Sequence, residues 1–160
     1  MAEGGLAELL PTSAIWLDQT AEDWRDAVRL AGDALIAGGS VTEPYIDEMI
    51  AVVQELGPYI VIVPGLALAH ARPSPSVVRS GLSWVTLSNP VRFGHPENDP
   101  VSVVVGLAAP DDESHIIALS TLAELLSDEQ RHQALVSAES PAAVHAIISD
   151  FERSTQGGGT

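Results

Sequence analysis

Apolar positions along the chain recur first at helical spacing, then as extended runs, then at helical spacing again. Trp24, Ala27, Val28, Ala31 and Leu35 keep helical spacing behind Thr20 and Asp23, which resemble a capping box, and Gly38-Gly39 stops the pattern. A second helix is predicted from Thr42 to Gly57-Pro58, with Pro44 in its first turn and Ile46, Met49, Ile50 and Val53 as its stripe. The period then changes. "YIVIV" (59–63), "LSWVTLS" (82–88) and "VSVVVGLAA" (101–109) predict strands, the last buried on both faces, and "NPVRFGHPENDP" (89–100) is a loop. "DDESHIIALSTLAELLSD" predicts a helix whose acidic first turn suits the dipole. Shorter helices follow over 128–138 and 141–152, the latter with Val144, Ile147, Ile148 and Phe151 as its stripe. Residues 1–19 read as an irregular lead-in, with Trp16 and Leu17 packing onto the domain. These elements predict an α/β sandwich of layers, with residues 1–152 as one domain and 153–160 as a disordered tail.

Composition narrows the function. The 160 residues carry 7 basic against 22 acidic side chains, a formal net charge of −15, and every basic residue is Arg. A nucleic-acid binder needs a cationic footprint to displace counterions, so that class is set aside. The acidic balance favours basic partners and solubility. With no cysteine there is no disulfide, thiol nucleophile or Cys-ligated metal. "MAEGGLAELL" lacks the basic start and apolar core of a signal peptide, and the longest apolar run is broken by Pro64-Gly65, far short of a membrane span. A cytoplasmic protein with no membrane insertion is expected. Phosphate-loop, dinucleotide, serine-hydrolase and zinc-protease motifs are all missing from the sequence.

Five histidines remain to be placed. His95 lies in the polar loop, and His132 and His145 on short helices with polar flanks; these read as solvated or capping groups. His70 differs. With 66–71 extended, Leu66, Leu68 and His70 share one face and Ala67, Ala69 and Ala71 the other. The imidazole then ends an apolar strip, next to Arg72 and just before Pro73 and Pro75 break regular structure. That pattern suits a half-buried histidine bonded to a carbonyl as well as a reactive one. His115 falls in the first turn of its helix, in line with Leu119, Leu122 and Leu126. The positive end of the dipole keeps such a ring neutral, and nearby backbone N–H groups could receive a phosphate. Taken alone, His115 also fits a satisfied core histidine. A zinc site from His70, His115 and Asp111 or Asp112 has suitable ligand types but no supporting spacing, so no metal is assigned.

The runs "GPYIVIVPGLALAHARP" and "DPVSVVVGLAAPDDESHIIALSTLAELLSD" sit at a separation that resembles the enzyme IIA component of the sugar phosphotransferase system. Within it, the mannitol-fructose fold family and its ascorbate-type branch are similar over about residues 14 to 152. The resemblance implies a small mixed sheet flanked by helices, a mannitol-type IIA fold. It also implies a relay: phosphorylated HPr gives its phosphoryl group to His70, His115 assists as the second active-site histidine, and an enzyme IIB component takes the group onward. The transported substrate would be ascorbate or a related sugar acid, and no cofactor is implied. The mannitol-like branch carries a basic residue on the helix before the active strand. "EPYIDEMIAVVQELG" has none, which leaves Arg72, the nearest cation in sequence, as the candidate to stabilise phosphate. A regulatory module whose histidine phosphorylation controls partner binding is the alternative. For either, the docking surface is expected to be shallow and apolar, formed by Leu66, Leu68 and the alanines around His70, with acids at its rim.

Overall fold

Alternating side chains along the strands divide the apolar residues between the two faces of one sheet. The computed structural model describes residues 6–157. Its strands are β1 (Ile15–Gln19), β2 (Val61–Val63), β3 (Leu66–His70), β4 (Gly81–Val91) and β5 (Val101–Ala108), ordered β1-β4-β5-β3-β2. The β1–β4 and β3–β5 pairs are parallel, and the β4–β5 and β2–β3 pairs antiparallel. One face is covered by α2 (Trp24–Ala37) and α3 (Pro44–Leu56), which bury Val28, Ala31, Leu35 and Met49 against Ala67, Ala69, Val85 and Val104. The other face is covered by the short α1 (Leu6–Leu9), α4 (Asp112–Ser127), α5 (Glu129–Ser137) and α6 (Pro141–Gly157). There Leu122, Leu125, Leu135 and Ile148 pack on Leu66, Leu68, Trp84 and Leu107. This is the expected α/β sandwich of a mixed sheet between helices.

Several local expectations change. The lead-in is not irregular: Ile15–Gln19 forms the edge strand β1, in parallel register with Trp84–Leu87 of β4. A lone edge strand shows no alternation strong enough to announce itself, and its stability comes from the neighbour it pairs with. Trp16 and Leu17 do pack against the two cores, as expected. The preceding α1 is held to α6, where the Glu152 carboxylate accepts from the N–H groups of Leu6 and Ala7 and His145 Nε2 lies 2.9 Å from the Ala7 carbonyl. The cap of α2 is Asp23, accepting from Asp26 N–H at 2.9 Å; Thr20 instead lies 3.4 Å from Ser88 Oγ. Pro58 turns Pro58–Ile60 into a 3-10 turn, leaving Val61–Val63 as strand. At the other end, α6 continues to Gly157; residues 1–5 of the lead-in and 158–160 of the tail lie outside the described residues.

Helix α2 lies close to the sheet because its inner face is alanine-rich. Ser83 Oγ donates to the Ala31 carbonyl at 2.8 Å and accepts from Gly106 N–H at 3.1 Å. A Cβ at Gly106 would meet Ser83 Oγ at 2.4 Å, Leu35 Cδ1 at 3.1 Å and the Ala31 carbonyl at 3.2 Å. Gly106→Ala is therefore expected to destabilise the fold by about 1–3 kcal/mol through overpacking, read from the urea midpoint at unchanged m-value.

Candidate active site

Parallel pairing of β3 with β5 brings two separate stretches of sequence to one edge of the sheet. The register runs from Leu66↔Val103 to His70↔Leu107, so His70 ends β3 beside the last residues of β5. After β5 the chain turns through Ala109–Asp111 into α4, whose first turns carry His115. The rings of His70 and His115 meet with centroids 5.3 Å apart, tilted by 50°. Both are half-buried. The two histidines singled out in the sequence thus form one site.

Each ring is prepared differently. His70 Nδ1 lies 3.0 Å from the Leu68 carbonyl, which can only accept, so Nδ1 carries the proton and Nε2 keeps its lone pair. His70 is thus half-buried and bonded to a carbonyl through Nδ1, with Nε2 left as the nitrogen that can act as a nucleophile. Desolvation lowers the His115 pKa below its ordinary value, and the neighbouring His70 lowers it further, opposed by Asp112. His115 is held neutral.

The start of α4 is not an open anion site. Asp111 caps the helix, accepting from Ser114 N–H at 2.7 Å, and these hydrogen bonds hold its carboxyl below the usual carboxylate range. Asp112 and Glu113 add exposed acid to the same turn. The Asp111 carboxylate thus already takes the Ser114 N–H among the groups that a helix end would offer to a phosphate. Arg72 is exposed on the segment leaving β3, and its guanidinium joins no hydrogen bond or ion pair among the described residues. The expected apolar surface also moves. Leu66, Leu68, Ala67, Ala69 and Ala71 are all buried, because both faces of β3 are covered by helices. The exposed apolar groups beside the site are Ile116 and Ile117, 61% and 60% exposed, next to His115 on α4.

Sequence reasoning missed the supports. Tyr45, fully buried on α3, accepts from Ala71 N–H at 3.0 Å and lies 2.9 Å from the Leu107 carbonyl and 3.2 Å from that of Ala71. Burial, opposed by the Ala71 hydrogen bond and reinforced by Glu48, pushes its pKa up to about 12. Glu48 accepts 2.6 Å bonds from the hydroxyls of Ser74 and Ser76, pinning the loop after His70 to α3. Tyr45 stands four residues before Met49, a spacing that places a polar-tipped aromatic on the inner stripe; the loop serines carried no such signal. His95 is a loop organiser, its Nδ1 accepting from the N–H groups of Glu97 and Asn98.

The family model for the phosphoenolpyruvate-dependent sugar phosphotransferase system, EIIA 2, matches residues 8–151. The chain belongs to this family. It is 37% identical over 128 residues to the ascorbate-specific PTS system EIIA component of Escherichia coli (strain K12), covering 79% of this chain and 83% of that one. The fold is that of the mannitol-specific cryptic phosphotransferase enzyme IIA of Escherichia coli, with a TM-score of 0.80, 32% identity, and coverage of 91% and 98% of the two chains. It also matches a complex of mannitol enzyme IIA with phosphorylated enzyme IIB from Escherichia coli, with a TM-score of 0.77, 27% identity, and coverage of 89% and 99%. Family members are phosphotransferases that carry a phosphoryl group between phosphocarrier proteins. Among the described residues no helix is long and apolar enough to cross a membrane.

The neutral His115 makes a pH test available. Its folded-state pKa lies below the ordinary value of 6.5, so the unfolded chain binds the extra proton first as pH falls. Its contribution to stability is complete above about pH 6.5 and is lost as pH falls below that value. His115→Gln is expected to flatten this part of the stability–pH profile. In NMR titrations His115 should titrate low in the parent and higher once His70 carries a phosphoryl group, since the added anion favours imidazolium.

Proposed function

We propose that this chain accepts a phosphoryl group from phospho-HPr on Nε2 of His70 and passes it to an enzyme IIB component, in the cytoplasm, for uptake of ascorbate or a related sugar acid. The observation that carries the reading is the free Nε2 of His70 beside a neutral second imidazole at a half-buried rim. The substrate assignment rests on likeness to the ascorbate-specific relative, and the onward partner on the IIA–IIB complex.

The chemistry follows from the ring states. The Nε2 lone pair attacks phosphorus in line as the bond to the donor histidine breaks, and the donor nitrogen takes back its electron pair. The proton on Nδ1 stays bonded to the Leu68 carbonyl, which stabilises the positive charge gained by the ring. His115 protonates or donates toward the phosphoryl oxygens, where its pKa rises on arrival of the anion. Arg72, exposed two residues beyond His70, supplies a cation from the strand exit. Onward transfer is the same displacement run with the roles exchanged.

Incubation with enzyme I, HPr and phosphoenolpyruvate should add one phosphoryl group by intact mass, and His70→Ala should add none while keeping its fold. His115→Ala should slow transfer on the order of 10²-fold, and Arg72→Ala on the order of tenfold. A fully phosphorylatable His70→Ala protein removes the acceptor assignment. A parent protein that charges but discharges to no IIB partner supports the regulatory alternative.

Partner docking belongs over the start of α4. Ile116 and Ile117 offer the exposed apolar contact, with Asp111, Asp112 and Glu113 at its edge. Ile117→Asp is expected to raise the half-saturating concentration of phospho-HPr about tenfold or more, with little change in the saturating rate. The rate at low HPr should fall as added salt shortens the screening length below about 10 Å.

A further inference from the structure

The last rung of the β3–β5 ladder contains a side-chain hydroxyl. At the start of the pair, Val103 N–H donates to the Gly65 carbonyl, which sets which backbone groups face each other along it. In that register, with His70 opposite Leu107, the N–H of Ala71 points toward the Leu107 carbonyl. Tyr45 Oη stands at this place. It accepts from Ala71 N–H at 3.0 Å and donates to the Leu107 carbonyl at 2.9 Å, the shorter of its two carbonyl contacts. The hydroxyl therefore ties the residue after His70 to the segment that leads through Ala108 into α4 and His115.

Its anchorage is firm. Tyr45 is completely buried among Ala67, Ala69, Ala71 and Ala108, on the α2–α3 face of the sheet. His70 follows Leu66 and Leu68 toward the opposite face, so Tyr45 acts from behind the strand and does not touch the reacting ring. Pro44 at the first position of α3 fixes where the helix begins and hence where the ring enters the core. The raised pKa keeps Oη protonated, so it remains both donor and acceptor throughout the working pH range.

We propose that Tyr45 is a positioning residue for phosphoryl transfer: its hydroxyl sets the separation of the two strand exits and thereby the spacing of His70 from His115. The proposal rests on the reading that His70 is the acceptor. In-line transfer is sensitive to ångström displacements, so losing one remote hydroxyl acts on the rate of the chemical step. Partner affinity is set by the exposed surface of α4 and stays as it was.

Tyr45→Phe keeps the ring and removes only Oη. The saturating rate of transfer from phospho-HPr is expected to fall roughly 10- to 100-fold, with the half-saturating concentration within about twofold of the parent. The His115 titration midpoint should move toward its ordinary value as the rings separate. Val28→Ala, a buried truncation on α2, serves as the control for stability loss and should leave rate and titration unchanged. If Tyr45→Phe keeps the parental saturating rate and the parental His115 titration, or merely follows Val28→Ala, the positioning role is overturned. His70→Ala separates this from failure of the relay itself, since phosphate uptake by that variant removes the acceptor and not the Tyr45 contact. Should Tyr45→Phe not fold, fluorotyrosine incorporated in a Tyr59→Phe background labels Tyr45 alone, because the chain has two tyrosines. The saturating rate should then change while the half-saturating concentration holds, and an unchanged rate overturns the proposal.

Discussion

Parallel strands finish at the same edge of a sheet, and the site depends on that single property of the β3–β5 pair. β3 ends in His70, and β5 hands the chain to α4 after three connecting residues. Had the two strands paired antiparallel, their exits would lie at opposite ends of a five-residue strand, about 17 Å apart. Crevices at the carboxyl ends of strands are the usual ligand sites of such layered folds, for the same geometric reason. Everything else near the histidines maintains this pairing: alanines let α2 and α3 close on one face, leucines fill the other, and Glu48 holds the loop that leaves β3.

A histidine relay has opposing electrostatic needs. The acceptor ring must keep a nucleophilic nitrogen exposed, yet its neighbour must stay neutral until negative charge arrives. Half-burial serves both, because desolvation lowers the His115 pKa while the rim remains open to a partner. Acid so close to the histidine pair looks adverse for binding an anion. Asp111 is consumed by the helix cap, and its neighbours in the turn are exposed to solvent, where screening is strong.

The fold shows how small side chains allow long-range order. Ser83 bridges the Ala31 carbonyl of α2 and the Gly106 N–H of β5, at a point where any larger residue at position 106 would force the layers apart. Gly106 pairs with Ala69, next to His70. The close contact of α2 with β5 is therefore made one rung from the pair that ends in His70.

The sequence by itself determined the two helices near the start, the β-branched strands, and the two motifs whose histidines meet in the fold. Those signals are local: helical spacing, β-branching and proline or glycine stops act within one segment. It also placed Leu66, Leu68 and His70 on one face, because strand alternation needs no partner to be read. Tertiary structure alone decided that β1 is a strand, since its pairing with Trp84–Leu87 comes from residues almost seventy positions away. It also buried the leucines and alanines expected at the docking surface, because coverage of both faces is a property of neighbours and not of β3. The Tyr45 bridge and the Glu48–Ser74–Ser76 contact belong to the same class. A hydrogen bond across 26 or 62 residues leaves no periodicity in sequence; it exists only once the layers have closed.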